Sequence, residues 1–165
     1  MQRKKLIVIG GGDAGFFWAV NAAMQNANLD VFIVEKSNKL LSKVKVSGGG
    51  RCNVTHSCFS MSEMIKKYPR GAGFLKKAFH HFFTTDTINW FKERGVELKT
   101  EADGRMFPVS NSSQTIIDCL VNEVNRYEVE IMMNKEVSAL SMVNNRWSIA
   151  FKNDAGMQAD YVCIA

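Results

Sequence analysis

The sequence has no apolar run approaching the roughly 18 residues of a membrane span, and its "MQRKK" start leads straight into a short strand-like run without a cleavage site. Neither a membrane anchor nor an export signal is expected, and the expected location is cytoplasmic. The four cysteines, Cys52, Cys58, Cys119 and Cys163, are scattered without zinc spacing. Reduced thiols, no disulfide and no metal site are the corresponding expectations. There is no internal repeat and no low-complexity tract. No nucleophile with a flanking base stands out, so the sequence names no catalytic residue.

What is present suffices for a real core. The chain has 165 residues, 46% hydrophobic and 22% charged, within the usual size of one globular domain. The net charge of +5 is unevenly placed. Residues 36–105 hold fourteen Lys/Arg against six Asp/Glu, whereas residues 1–35 are balanced and residues 106–165 are acidic by three. A local excess of this kind concentrates anions such as a phosphorylated cofactor, a nucleotide substrate or a nucleic acid. The plain alternative is solvated helix faces such as "IKKY" and "LKKA".

The opening reads as strand, glycine turn, helix, strand. "LIVIG" (Leu6 to Gly10) and "DVFIVEK" (Asp30 to Lys36) are apolar β-branched runs suited to strands buried on both faces, with a helical pattern from Asp13 to Ala27 between them. "GGGDAG" places Gly10, Gly12 and Gly15 in G-x-G-x-x-G spacing directly after the first strand. In that arrangement the first glycine permits a tight turn, the second lets a pyrophosphate approach the backbone, and the third lets helix and strand pack closely. Glu35, twenty residues beyond Gly15 at the end of the second strand, is placed to hydrogen-bond a ribose diol. The constellation predicts a dinucleotide site, and the free carboxylate favours FAD or NAD over NADP.

Residues 37–59 have no sustained period and are expected to form a long loop ordered by a ligand. Met61 to Tyr68, Gly73 to Phe83 and Asp86 to Gly95 read as three short helices, and Val96 to Glu101 as a strand. "GRMFPVS" (Gly104 to Ser110) reads as a proline-containing loop leading to a helix from Ser113 to Arg126 capped by Ser112. "VEIMMN" follows, then two alternating runs joined by Asn144-Asn145 as a hairpin, and a third run from Gln158 to Ala165. The aromatics from Phe74 to Phe91 recur at helical spacing and are expected in the core, a base-stacking platform being the sharper alternative. Of the adjacent His80 and His81, one is expected to pack and one to be exposed, and neither to bind metal.

The stretch "SGGGRCN" (Ser47 to Asn53) admits several readings. Its glycines and Arg51 would suit a phosphate cradle. Cys52 with Cys58 would be a redox dithiol, although the spacing is C-x5-C and starts seventeen residues past Glu35. A flexible turn is the plain alternative, and a loop that wraps a cofactor through Arg51 and Asn53 is the reading preferred.

Taken together, "VIGGGDAGFFWAV…VFIVEKS", "KVKVSGGGRCNVTH" and "GRMFPVS" followed by a helix resemble the N-terminal portion of the BaiN/YhiN-like family of FAD-dependent, NAD(P)-linked oxidoreductases. The resemblance implies an α/β fold of the glutathione-reductase-like, FAD-binding Rossmann type, with a parallel sheet and a small antiparallel β-meander. It implies that the chain is the first part of a longer protein whose substrate domain is absent. Residues 1–85 would hold the FAD-binding βαβ unit and flavin loop, 86–133 helices, the GRMFPVS turn and a further strand, and 134–165 the meander returning to the sheet. FAD would lie with its pyrophosphate against Gly10, Gly12, Asp13, Ala14 and Gly15, its ribose on Glu35 and its adenine beside Lys36 and the backbone of Val137. Ser47, Gly49, Arg51 and Asn53 would contact the flavin. The implied reaction is reduction of an electron-poor C=C bond with NAD(P)H as donor, on a small molecule or on uridine within RNA. A non-catalytic FAD- or nucleotide-binding module is the alternative.

Overall fold

The structure is a computed structural model that describes residues 3–165. Ten strands and six helices follow in the order β1 (Lys4–Ile9), α1 (Asp13–Gln25), β2 (Leu29–Val34), α2 (Ser42–Gly50), β3 (Thr55–His56), α3 (Met61–Lys66), α4 (Ala72–Phe79), α5 (Thr84–Lys92), β4 (Leu98–Thr100), β5 (Arg105–Pro108), α6 (Ser113–Arg126), β6 (Glu130–Met132), β7 (Val137–Val143), β8 (Arg146–Phe151), β9 (Met157–Ala159) and β10 (Tyr161–Ile164). The described residues form two compact units, one of those up to Val44 with Leu120–Ala165 and one of Lys45–Cys119.

The first unit is built on a four-stranded parallel sheet of order β10-β1-β2-β6. The unbroken apolar runs of β1 and β2 are explained by burial on both faces. Ile7 and Val34 pack with Ile149, Phe151 and Ala159 of the antiparallel meander β7-β8-β9. Leu6, Val8, Val31 and Ile33 alternate with them and are buried as well. Helix α1 buries Phe16, Ala19 and Val20 along one stripe. Asn144 and Asn145 take φ of +49° and +60°, the double left-handed turn that a two-residue hairpin requires.

The run from Gln158 to Ala165 is not one strand. It breaks at Asp160, so that β9 pairs with β8 and β10 pairs with β1. Asp160 fixes the switch: its N–H donates to the Lys5 carbonyl at 2.9 Å, and its Oδ2 accepts from the Lys5 N–H at 2.8 Å.

The second unit has an antiparallel sheet of order β3-β5-β4, with α3, α4, α5 and the Ser113–Cys119 part of α6. Its buried residues include Trp90, Phe91, Val96, Met106 and Phe107. Helix α5 ends in a Schellman motif: Gly95, at φ +75°, donates to Lys92 and Val96 donates to Phe91, each at 3.0 Å. Ser112 caps α6 by accepting from the Gln114 N–H at 3.2 Å.

Four expectations change here. GRMFPVS contains a strand, β5, held between β3 and β4, with Pro108 at its end where the missing N–H is harmless. The expected loop over 37–59 contains α2 and β3. His80 and His81 are both exposed, because α4 stops at Phe79 and no helical face remains to bury either ring. Phe74, expected in the core, is 78% exposed, and neither α3 nor α4 has a buried residue.

Candidate cofactor site

The first unit carries a cleft of about 800 Å³ at the end of its parallel sheet. Its walls are the turn after β1, the start of α1, the segment after β2, and residues 135–137 leading into β7. Gly10, Gly12, Asp13, Ala14 and Gly15 line it, as do Glu35, Lys36 and Val137. The backbone explains the convergence: Glu35 donates its N–H to Met132 and accepts from Lys135 through its own carbonyl, each at 2.9 Å, which carries the chain from β6 past Glu35 to Val137.

The glycines divide their work. Gly10 has φ +124°, and a Cβ there would meet the Ala165 carbonyl oxygen at 2.5 Å. A Cβ on Gly15 would fall on the Gly10 carbonyl oxygen, so Gly15 is the close-packing position of helix on turn. Gly12 is different: it has nothing within 4 Å of where its Cβ would stand, and its backbone, at φ −88° and ψ −177°, is open to any residue. Gly12 is the N-cap of α1 and supplies no side-chain cap. The first-turn N–H groups and the positive end of the helix therefore face the cleft, an arrangement suited to an anionic group. Lys36, Lys39 and Lys43 add cations to the same lining.

Glu35 is held in place before any ligand arrives. Its Oε2 accepts from the Gly11 N–H at 2.8 Å, and its Oε1 accepts from the Ser37 N–H at 2.8 Å and the Ser37 hydroxyl at 2.7 Å. A carboxylate offers about four acceptor positions, so capacity remains for a sugar hydroxyl. Burial pushes this carboxyl's pKa up, but the Ser37 hydroxyl, the Gly11 and Ser37 N–H groups and the Lys36 charge together hold it below its ordinary value of 4.5. A depressed folded-state value means a stability contribution that is present above the ordinary value and lost as pH falls through the folded one. Thermal melting on an acid series therefore has an expected result: the parent's advantage over Glu35→Gln shrinks as pH drops below 4.5. A gap that stays constant through that range contradicts the assignment.

Gly11 and Ser37 were not singled out from the sequence, yet they orient the carboxylate. For Gly11 the signal was the middle glycine of "GGG", one more than the fingerprint needs. A Cβ on Gly11 would stand 2.8 Å from Leu40 Cδ2 and 2.9 Å from Glu35 Cβ, so any other residue there would have to displace Glu35 as well as Leu40.

Ser47, Gly49, Arg51 and Asn53 belong to the second unit. Helix α2 loses helical geometry at Ser47, after which Gly48, Gly49 and Gly50 take φ of +55°, +69° and +83°. Such a left-handed run is open to glycine at little cost. Cys52 follows at φ +60°, buried, its N–H donating to the Ser47 carbonyl at 3.0 Å. Arg51 pairs with Glu101 and lies over the Phe107 ring at 4.1 Å. A Cβ on Gly48 would meet the same ring at 2.7 Å. The loop is thus a tight structure closed on β5, not a flexible turn. Gly49 has open space before it and Asn53 is exposed.

The model of the HI0933-like protein Rossmann domain matches residues 4–165. The chain belongs to this family. Relatives include the ribosomal RNA dihydrouridine synthase of Haemophilus influenzae, 27% identical over 91% of this chain and 36% of its own length. That of Escherichia coli is 30% identical over 86% and 34%. The 3-dehydro-bile acid delta(4,6)-reductase of Clostridium scindens is 28% identical over 82% and 32%. The chain therefore spans about a third of the length of the curated relatives it matches. Among solved structures, the Diels-Alderase PyrE3 and Thermovibrio ammonificans THI4 each align with a TM-score of 0.58 at 12% identity, over 98% of this chain and 32% and 56% of theirs. These likenesses establish the Rossmann-type α/β fold. Among the described residues, no helix is long and apolar enough to cross a membrane.

Proposed function

We propose that the chain is the FAD-binding part of an NAD(P)H-dependent flavoprotein oxidoreductase that reduces an electron-poor C=C bond. The observation that carries the reading is the pairing, in one cleft, of an open helix N-terminus at Gly12 with a pre-oriented carboxylate at Glu35. The two features match two parts of an adenosine diphosphate half: the helix N-terminus suits the pyrophosphate, and the carboxylate suits the ribose diol. Glu35 would repel a ribose phosphate, which favours FAD or NAD over NADP at this position, and the family resemblance favours FAD.

When bound, FAD supplies two-electron chemistry that the side chains lack. In the net reaction NAD(P)H and a proton add two hydrogens across the C=C bond and NAD(P)+ leaves. The residues of this chain bind and orient: the Gly10–Gly12 turn brings backbone close to the pyrophosphate, Glu35 fixes the ribose, and Lys36 and Val137 border the adenine side. The product word dihydrouridine and the reaction word delta(4,6)-reductase, in the names of the relatives, both denote saturation of such a bond, which supports the reaction class.

Two substrate classes fit those names, a uridine within RNA and a steroid-like enone. The concentration of positive charge in residues 36–105 favours the anionic one. The expected results are these. The purified chain takes up FAD and absorbs near about 450 nm as a bound flavin does. In the whole protein that carries it, NAD(P)H bleaches the band, and uridine-containing RNA restores it faster than an enone does. A whole protein that is colourless once free FAD has been removed contradicts the cofactor, and one that retains FAD but is not bleached is a binding module and not an oxidoreductase.

A further inference from the structure

Helices α3 and α4 present a surface that the cofactor cleft does not explain. From Lys66 to Thr85 the sequence has five basic residues, Lys66, Lys67, Arg70, Lys76 and Lys77, and no acid. All five are exposed. Glu63 pairs with Lys66 at 2.7 Å and is the one acid in α3 or α4. Inside the pair, rings hold the elements together: Tyr68 meets Phe79 at 5.9 Å and Phe79 meets Phe83 at 5.1 Å. Phe74 stays outside this chain of rings, with Lys77 three residues on and so on the same helical face.

An aromatic ring 78% exposed amid lysines is poor core and poor surface, but it is how single-stranded nucleic acid is gripped: a base stacks on the ring while cations take the neighbouring phosphates. We infer that α3 and α4 form a docking surface for single-stranded RNA, with Phe74 as the stacking ring and Arg70, Lys76 and Lys77 as phosphate contacts. Charge complementarity selects a polyanion. A membrane is a poorer fit, because α4 is only about 12 Å long and offers one largely exposed ring, whereas interfacial helices bury a broad apolar face. Duplex RNA is a poorer fit too, because its bases are already stacked and a lone ring gains nothing from them. The inference deepens the RNA reading of the substrate and is independent of the cofactor reading.

The test is fluorescence anisotropy of a short labelled oligouridine with the chain over a salt series. The logarithm of affinity should fall with the logarithm of salt at about −0.7 per phosphate neutralised, roughly −2 in all for three contacts. Phe74→Ala should weaken binding about fivefold or more and leave the salt slope unchanged. Lys76→Ala with Lys77→Ala should weaken binding and make the slope shallower by about 1.4. Both variants should melt with the parent, since the changed side chains are exposed, and should bind FAD as it does. The proposal is overturned if Phe74→Ala binds oligouridine like the parent, if a duplex of equal length binds as tightly, or if phosphatidylserine vesicles bind and oligouridine does not. Loss of oligouridine binding in the parent with FAD binding intact discards this surface alone.

Discussion

Gly15→Ala is expected to unfold the first unit, or lower its melting temperature steeply, although alanine is the better helix former. Within a helix the exchange normally gains about 1 kcal/mol. Here the added Cβ lands on the carbonyl oxygen of Gly10. Overpacking costs about 1–3 kcal/mol where neighbouring side chains can yield, and a backbone carbonyl cannot rotate away without breaking the turn. The cost falls at or above the top of that range and outweighs the propensity gain. Gly12→Val is the contrast. Its Cβ enters open space at an ordinary φ, so only a cap preference of about 1 kcal/mol opposes it. Circular dichroism melts of the two variants should therefore differ widely, with Gly12→Val near the parent. Equal melts would mean that helix and turn are not packed as described.

Phe107→Ala should be comparably damaging in the second unit. The ring is fully buried in the central strand β5, carries the Arg51 guanidinium on its face and touches the place where Gly48 lacks a Cβ. Removing a buried phenylalanine costs about 3–5 kcal/mol, against a total stability of about 5–15 kcal/mol for a protein. At about 2–4 °C per kcal/mol for a chain of this size, melting should fall by about 6–20 °C. Exchange protection of the amides around Ser47 to Val54 should fall with it, because their loop closes on this ring. A loop that keeps its protection would show that the glycine run is held by something other than Phe107.

The first βαβ unit was legible because three signals agree there: two continuous apolar strands, a helical stripe, and glycines where the chain turns. The meander was legible from Asn144-Asn145, two residues that tolerate positive φ at the one place a short hairpin needs them. The pivot at Asp160 was not. Both strands beside it read as a single run ending in the apolar YVCIA, and only pairing with Lys5 separates them. The strand β5 was hidden by Pro108, whose lost N–H is tolerated only because it ends the strand. The form of the SGGGRCN loop was hidden as well, since consecutive left-handed residues have neither period. For Phe74 the spacing indicated a helical face, but a face does not say what covers it. At the cleft, Gly10, Gly12, Gly15 and Glu35 were legible through the fingerprint, whereas the parts played by Gly11 and Ser37 follow from hydrogen bonds that no spacing rule encodes.

We propose that the cleft at the Gly10–Gly12 turn holds FAD by its adenosine diphosphate half. It is tested most directly by titrating FAD fluorescence with the parent chain and with Gly12→Val, after melts have established that both are folded. Saturable quenching by the parent, relieved by competing ADP, is expected, and none by Gly12→Val, whose side chain would stand where the pyrophosphate approaches. Equal quenching by both folded proteins, or none by the parent, would contradict it.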